Sequence, residues 1–226
     1  MKKTSTTQHL YLAVLLFISI ITISSCEKSE EFTPLEKSFS KKIMTINEIN
    51  EITIKLNENN YFKNNYTPKN NKNRINKVTS PLIINGKDLR NDILNNIDKS
   101  LLTKKELNNI NNLSDDELGM FSLFMGVLNT AKKETFSSNY NLYAKQKHPI
   151  FDSPIFQCLM SAVGIKGFFD KFIIGSAQLA AFETASAAAF TYADGLALLK
   201  AFGTRTLGIV GLGYSLYKFG ECMDYF

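Results

Sequence analysis

Only a handful of residues in this chain are of types that could do chemistry. Asp115, Asp116 and Glu117 are three consecutive acids, His148 stands before Pro149, and Cys158 and Cys222 lie towards the C-terminus. Adjacent carboxylates could hold a hard cation, but a calcium loop spreads its ligands over about a dozen residues around a central glycine. Here Ser114 precedes the acids directly, and acids in a first turn are what a helix dipole favours. The triplet therefore reads as a helix start. A thiolate–imidazole pair of Cys158 and His148 has no nucleophile motif around it, and zinc would need more His or Cys ligands than the chain supplies. The Gly-Ile-Val-Gly-Leu-Gly run at 208–213 has the wrong glycine order for a dinucleotide fingerprint and no strand before it. The expectation is no catalytic residue, no metal and no cofactor.

Cys26 is different. Lys2 and Lys3 make a positive n-region, and Leu10 to Ile23 form an apolar run too short for a comfortable membrane span of roughly 20 residues. The run ends in Ile23-Ser24-Ser25-Cys26. This resembles the lipobox of bacterial lipoproteins, and the resemblance implies cleavage before Cys26 and acylation, palmitate included, of that residue. Glu27-Lys28-Ser29-Glu30-Glu31 resembles the export tag of Bacteroidota-type surface lipoproteins; a solvated acidic tether is the other reading. An uncleaved N-terminal anchor with an incidental Cys is the alternative for the whole segment. The lipoprotein reading implies a cell-envelope protein held by its lipid at the outer membrane or cell surface. It also leaves Cys158 and Cys222 as an even pair in an oxidising compartment, the count expected for one disulfide. Such a bridge would contribute roughly 3–4 kcal/mol by constraining the unfolded chain.

Charge and composition narrow the partners. The formal charge of +5 falls to +3 once Lys2 and Lys3 are removed with the leader, and the remaining Lys are scattered among acids. A nucleic-acid reader would show a basic stripe or a recognisable motif; this chain shows neither. The lack of Trp argues against a sugar site, although nine Tyr and seventeen Phe leave stacking surfaces.

The elements that would position any site read as helices. Thr33-Pro34-Leu35-Glu36 has the form of a helix start, and Leu35, Phe39, Ile43, Ile46, Ile49, Ile52 and Leu56 make an apolar stripe of helical period over about 24 residues. Asn57 to Ser80 is Asn- and Lys-rich and reads as loop, extended to residue 87 by Pro81 and Asn85-Gly86, with Pro81–Ile84 a brief strand at most. Shorter helices follow from Asp88, from Thr103 through a capping box with Glu106, and from Ser114 to about Lys133. Ser153-Pro154 opens a last block, whose first helix ends near Gly164–Gly167. A long helix from about Phe168 carries Ala177, Ala181, Ala185, Ala189, Ala193, Ala197 and Ala201 on one inclined ridge, with a break or kink at Asp194-Gly195 that would give two helices in place of one. A final helix from about Thr204 to Cys222 carries Gly208, Gly211, Ser215 and Cys222 as a small-residue face.

The expected fold is mostly α: a signal peptide (1–25), a lipidated tether (26–32), an Asn-rich helical region (33–152) with a loop at 57–87, and a Gly/Ala-rich compact helical module (153–226). The uncharged runs Phe172–Phe182 and Thr206–Tyr217 fall short of the roughly 18 apolar residues of a spanning helix. The expected function is a non-enzymatic envelope lipoprotein that binds a protein partner, with no nucleic acid involved. The alternative follows from a compositional likeness of the last block to the hairpins of bacteriocins and pore-forming toxins, which act on membranes.

Overall fold

The computed structural model describes residues 39, 41–62, 71–137, 150, 153–163, 191–202 and 208–226. The leader, Cys26, the acidic tether, the Thr33-Pro34 helix start, His148 and the alanines from Ala177 to Ala189 lie outside these residues. Among the described residues there are seven α-helices and no strand. They are α1 (Ile46–Glu58), α2 (Lys72–Asn96), α3 (Lys104–Asn111), α4 (Asp115–Ser137), α5 (Pro154–Val163), α6 (Tyr192–Phe202) and α7 (Ile209–Cys222). The mostly α-helical reading of the sequence holds.

Helix α1 starts later than its apolar stripe. Thr45 is the N-cap: its Oγ1 accepts from the Glu48 N–H, and Glu48 Oε2 accepts from the Thr45 N–H at 2.8 Å. Lys42 Nζ reaches Glu48 Oε1 at 2.6 Å. The chain from Lys41 to Met44 is therefore non-helical, and Phe39 and Ile43 reach the core from an irregular segment. A complete capping box outweighs apolar period alone as a start signal, because it satisfies two backbone donors that the helix leaves orphaned.

The loop expected at 57–87 is the main correction. Asn57 and Glu58 still belong to α1, and α2 runs unbroken from Lys72 across Pro81 to Asn96. Its buried positions include Ile75, Thr79, Leu82, Ile83, Gly86, Leu89 and Ile93, one helical face whose signal is diluted by Thr79 and Gly86. Pro81 lies on the exposed side of α2, where water can take the hydrogen bond that its missing N–H cannot donate. Asn85-Gly86 is no turn. A Cβ on Gly86 would stand 2.0 Å from the Leu118 carbonyl oxygen, so this glycine is where α2 and α4 pack backbone to backbone. These two helices form the most extensive helix pair among the described residues.

Helices α3, α4 and α5 begin where the sequence placed them. Thr103 and Glu106 form a full capping box. The Ser114 N–H and Oγ both donate to Glu117 Oε2 at 2.7 Å. Ser153 Oγ accepts from the Phe156 N–H ahead of Pro154. Asp194 and Gly195, read as a break or kink, lie in the first turn of α6: the Thr191 N–H donates to Asp194 Oδ2 at 2.8 Å, and the Asp194 N–H returns the bond to Thr191 Oγ1.

The described helices of the C-terminal block pack with those before it. Pro34–Phe226 clusters as one compact unit, and α7 packs against α1, α2, α4 and α5. The glycines that permit this are Gly213, whose Cβ would meet Ile75 Cγ2 at 2.6 Å, and Gly220, whose Cβ would meet Thr53 Cβ at 2.8 Å. Of the expected small-residue face, only Ser215 is buried; Gly208 and Cys222 are exposed. Ile49, Leu56, Ile75, Leu82, Phe121, Phe124, Phe156 and Phe219 fill the centre. Phe202 of α6 meets Phe121 and Phe124 edge-on at 6.2 and 5.2 Å.

Cys158 of α5 and Cys222 at the end of α7 form a disulfide with Cα atoms 5.4 Å apart. Replacing both by Ser is expected to cost about 3 kcal/mol, read as a lower urea midpoint at unchanged helicity. A midpoint equal to wild type would show that the bridge does not constrain the unfolded chain.

Candidate functional site

The acid triplet resolves into capping. Glu117 closes the Ser114 box, and Asp115 pairs with Lys87 of α2 at 2.7 Å. Among the described residues no group of three or more His, Cys, Asp or Glu could hold a metal ion. No helix among them is long and apolar enough to cross a membrane.

One recess among the described residues lies between the end of α5 and the outer face of α7. It has a volume of about 600 Å³ and is lined by Ser161, Ala162 and Val163 on one side and by Gly211, Tyr214, Ser215, Lys218, Glu221 and Cys222 on the other. Local helical geometry makes this face. Leu212, Leu216 and Phe219 of α7 are fully buried, so Gly211, Tyr214, Lys218 and Cys222, spaced three, four and four apart, turn the other way. Tyr214 is 48% exposed.

An aromatic surface borders this recess. Phe62 lies 5.7 Å from Tyr214 and 5.6 Å from Tyr217, and Tyr217 stacks on Phe226 at 5.4 Å. Lys218 Nζ stands 6.0 Å from the Tyr214 ring centroid and 5.9 Å from that of Tyr217, at the edge of cation–π range. The same ammonium is ion-paired with Glu221, which raises its pKa above the ordinary lysine value. The site thus offers an aromatic face, a short polar floor and one pair of opposite charges. Sequence reasoning read the small residues of this helix and passed over the Tyr214–Lys218–Glu221 stripe, although its spacing of four and three was visible.

A second recess, of about 510 Å³, lies between Lys42, Met44 and Glu48 and the α2 residues Lys77, Pro81, Ile84 and Asp88. Glu48 on its rim titrates unusually. The Lys42 hydrogen bond first, then the Thr45 N–H, lowers its pKa from 4.5 to about 2. A carboxylate with a depressed folded-state pKa stabilises the fold above its unfolded pKa and loses that contribution as pH falls towards the folded value. Stability should therefore drop between about pH 5 and pH 2 by about 1 kcal/mol from this group, a small figure because the side chain is 38% exposed and screened. In Glu48→Gln that part of the acid titration, measured by urea melts across this window, should vanish.

A further group of polar side chains is buried in the core. Lys132 of α4 is fully buried, with Nζ 3.3 Å from Asp194 Oδ2. Asp92 of α2 accepts from the Tyr192 hydroxyl and from the Lys41 N–H, both at 3.1 Å. These groups tie α2, α4, α6 and the segment before α1 together. Compared with known proteins, the chain matches no protein family, no curated protein and no solved structure.

Proposed function

We propose that this chain is a lipid-anchored protein of the bacterial cell envelope, acylated on Cys26, that binds a protein partner through the α5–α7 recess and the aromatic surface beside it. The Ile23-Ser24-Ser25-Cys26 box carries the reading. A second support is the Cys158–Cys222 bridge, which suits an oxidising compartment. For the binding role the support is Tyr214 and Phe226, 48% and 39% exposed, next to a charged rim; Tyr and other aromatics are the residues that dominate protein interfaces. The lipid places the protein at the outer membrane or cell surface, and the reading is of a binder rather than an enzyme.

Cells expressing the chain and fed a clickable palmitate should label it, and Cys26→Ser should abolish both the label and membrane fractionation. A labelled, membrane-bound Cys26→Ser chain would sink the anchoring. A photo-crosslinker at position 214 should give one discrete adduct in the envelope, reduced about ten-fold by Lys218→Glu. The second reading, a bacteriocin-like or pore-forming protein acting on membranes, draws on the Gly/Ala-rich composition of the last block, 153–226. It would gain if the chain from residue 27 onward released dye from liposomes at sub-micromolar concentration, and would fail if it did not.

A further inference from the structure

The two cysteines of the disulfide occupy unequal surroundings. Cys158 is 8% exposed and belongs to the apolar core, whereas Cys222 is exposed and lines the α5–α7 recess. The wall facing it across the recess is short: Ser161, Ala162 and Val163. Lys218 stands one helical turn before Cys222 on the same stripe, with Glu221 as its ion-pair partner. Thiol–disulfide exchange depends on access and on which sulfur is attacked, and nearby cations favour thiolates.

We propose that Cys222 is a thiol–disulfide exchange site, addressed through this recess by a dithiol oxidoreductase of the Cys-x-x-Cys class. The attacking thiolate forms a bond to Cys222 Sγ, the Cys158–Cys222 bond breaks, and Cys158 leaves as a thiolate that takes a proton from water. The second thiol of the oxidoreductase, on losing its proton, attacks the mixed disulfide and expels Cys222 as thiolate. Two electrons pass from the dithiol, which ends as a disulfide, to the pair in this chain. The bridge closes a sequence separation of 64 residues, so exchange at the exposed cysteine releases that loop while α5 keeps its packing on α4 and α7. The proposal does not depend on the protein-binding reading.

The two charged groups facing the recess give the test its signs. The chain from residue 27 onward, containing the whole Pro34–Phe226 unit, is mixed with a thioredoxin-type protein whose second active-site Cys is replaced by Ala, so that the mixed disulfide is trapped. In native buffer the adduct should map to Cys222, at a rate unaffected by urea below the unfolding transition. Ser161→Phe, at an exposed position, should slow trapping about ten-fold by filling the recess. Lys218→Glu should slow it several-fold and Glu221→Gln should accelerate it, independently of their effects on stability. An adduct on Cys158, a rate that rises with sub-denaturing urea, or no adduct until the chain is unfolded would each overturn the proposal. Should Ser161→Phe fail to fold, the opposite signs at Lys218 and Glu221 decide the matter, because reduction through global unfolding would follow stability alone.

Discussion

Lys132→Met is expected to destabilise the protein by about 3–5 kcal/mol, as is Asp194→Asn. Lys132 is completely buried in α4, and its ammonium lies 3.3 Å from Asp194 Oδ2, itself on a residue only 7% exposed. Taking two charges out of water is costly, and the cost is offset here by their attraction together with the hydrogen bonds around them. Asp194 Oδ2 also accepts from the Thr191 N–H at 2.8 Å and from Thr191 Oγ1 at 3.0 Å, so one carboxylate both starts α6 and answers a lysine from α4. Removing either charge takes from the other an attraction that offsets its burial, which costs more than replacing both. The double variant Lys132→Met/Asp194→Asn keeps the volume and an oxygen for the cap. It should therefore recover at least half of the summed single losses. Urea unfolding of the four proteins at pH 7 gives the coupling directly. Single losses below about 1 kcal/mol, or a double variant no better than the worse single, would show that the pair is not held as an ion pair.

Gly86→Ala should cost about 4 kcal/mol, near the upper end of single-residue effects. The sign is the informative part. In an exposed helix interior the same change would stabilise by up to about 1 kcal/mol, because alanine is the better helix former. At this position the added Cβ would lie 2.0 Å from the Leu118 carbonyl oxygen and 2.6 Å from its carbonyl carbon. Both atoms are backbone, so no rotamer change can make room. Helices α2 and α4 would have to separate along the most extensive packed interface of the described fold. Truncating the Leu118 side chain should accordingly fail to rescue Gly86→Ala, which distinguishes backbone contact from ordinary overpacking. A neutral or stabilised Gly86→Ala in thermal melts would mean that the two helices are not in backbone contact here.

Local signals in the sequence set where most helices start. Thr103 with Glu106 and Ser114 with Glu117 place oxygen ligands three residues apart before an apolar run, and Ser153 sets a hydroxyl ahead of Pro154. The physics of each start is contained in about four residues, so each was legible without a fold. Helicity as a whole was legible for the same reason, and so was the Cys158–Cys222 pairing, from the cysteine count once Cys26 is set aside. The start of α1 was misplaced because an apolar stripe continued past it, and period does not reveal where backbone donors are satisfied.

Tertiary structure alone decided the rest. Helix α2 was hidden because Asn, Pro81 and Asn85-Gly86 are turn residues by local preference. They are helical here because Ile75, Leu82, Leu89 and Ile93 are fully buried against neighbours far away in sequence, and because a glycine is needed where α4 approaches. Lys132 and Asp194 meet across 62 positions, and Asp92 and Tyr192 across 100; no local pattern encodes such a pairing, since its energy exists only once burial has removed water. The recess beside Tyr214 has the same origin. The spacing of α7 determined that Tyr214, Lys218 and Cys222 share a face, but only the packing of Leu212, Leu216 and Phe219 inward determined that this face looks outward.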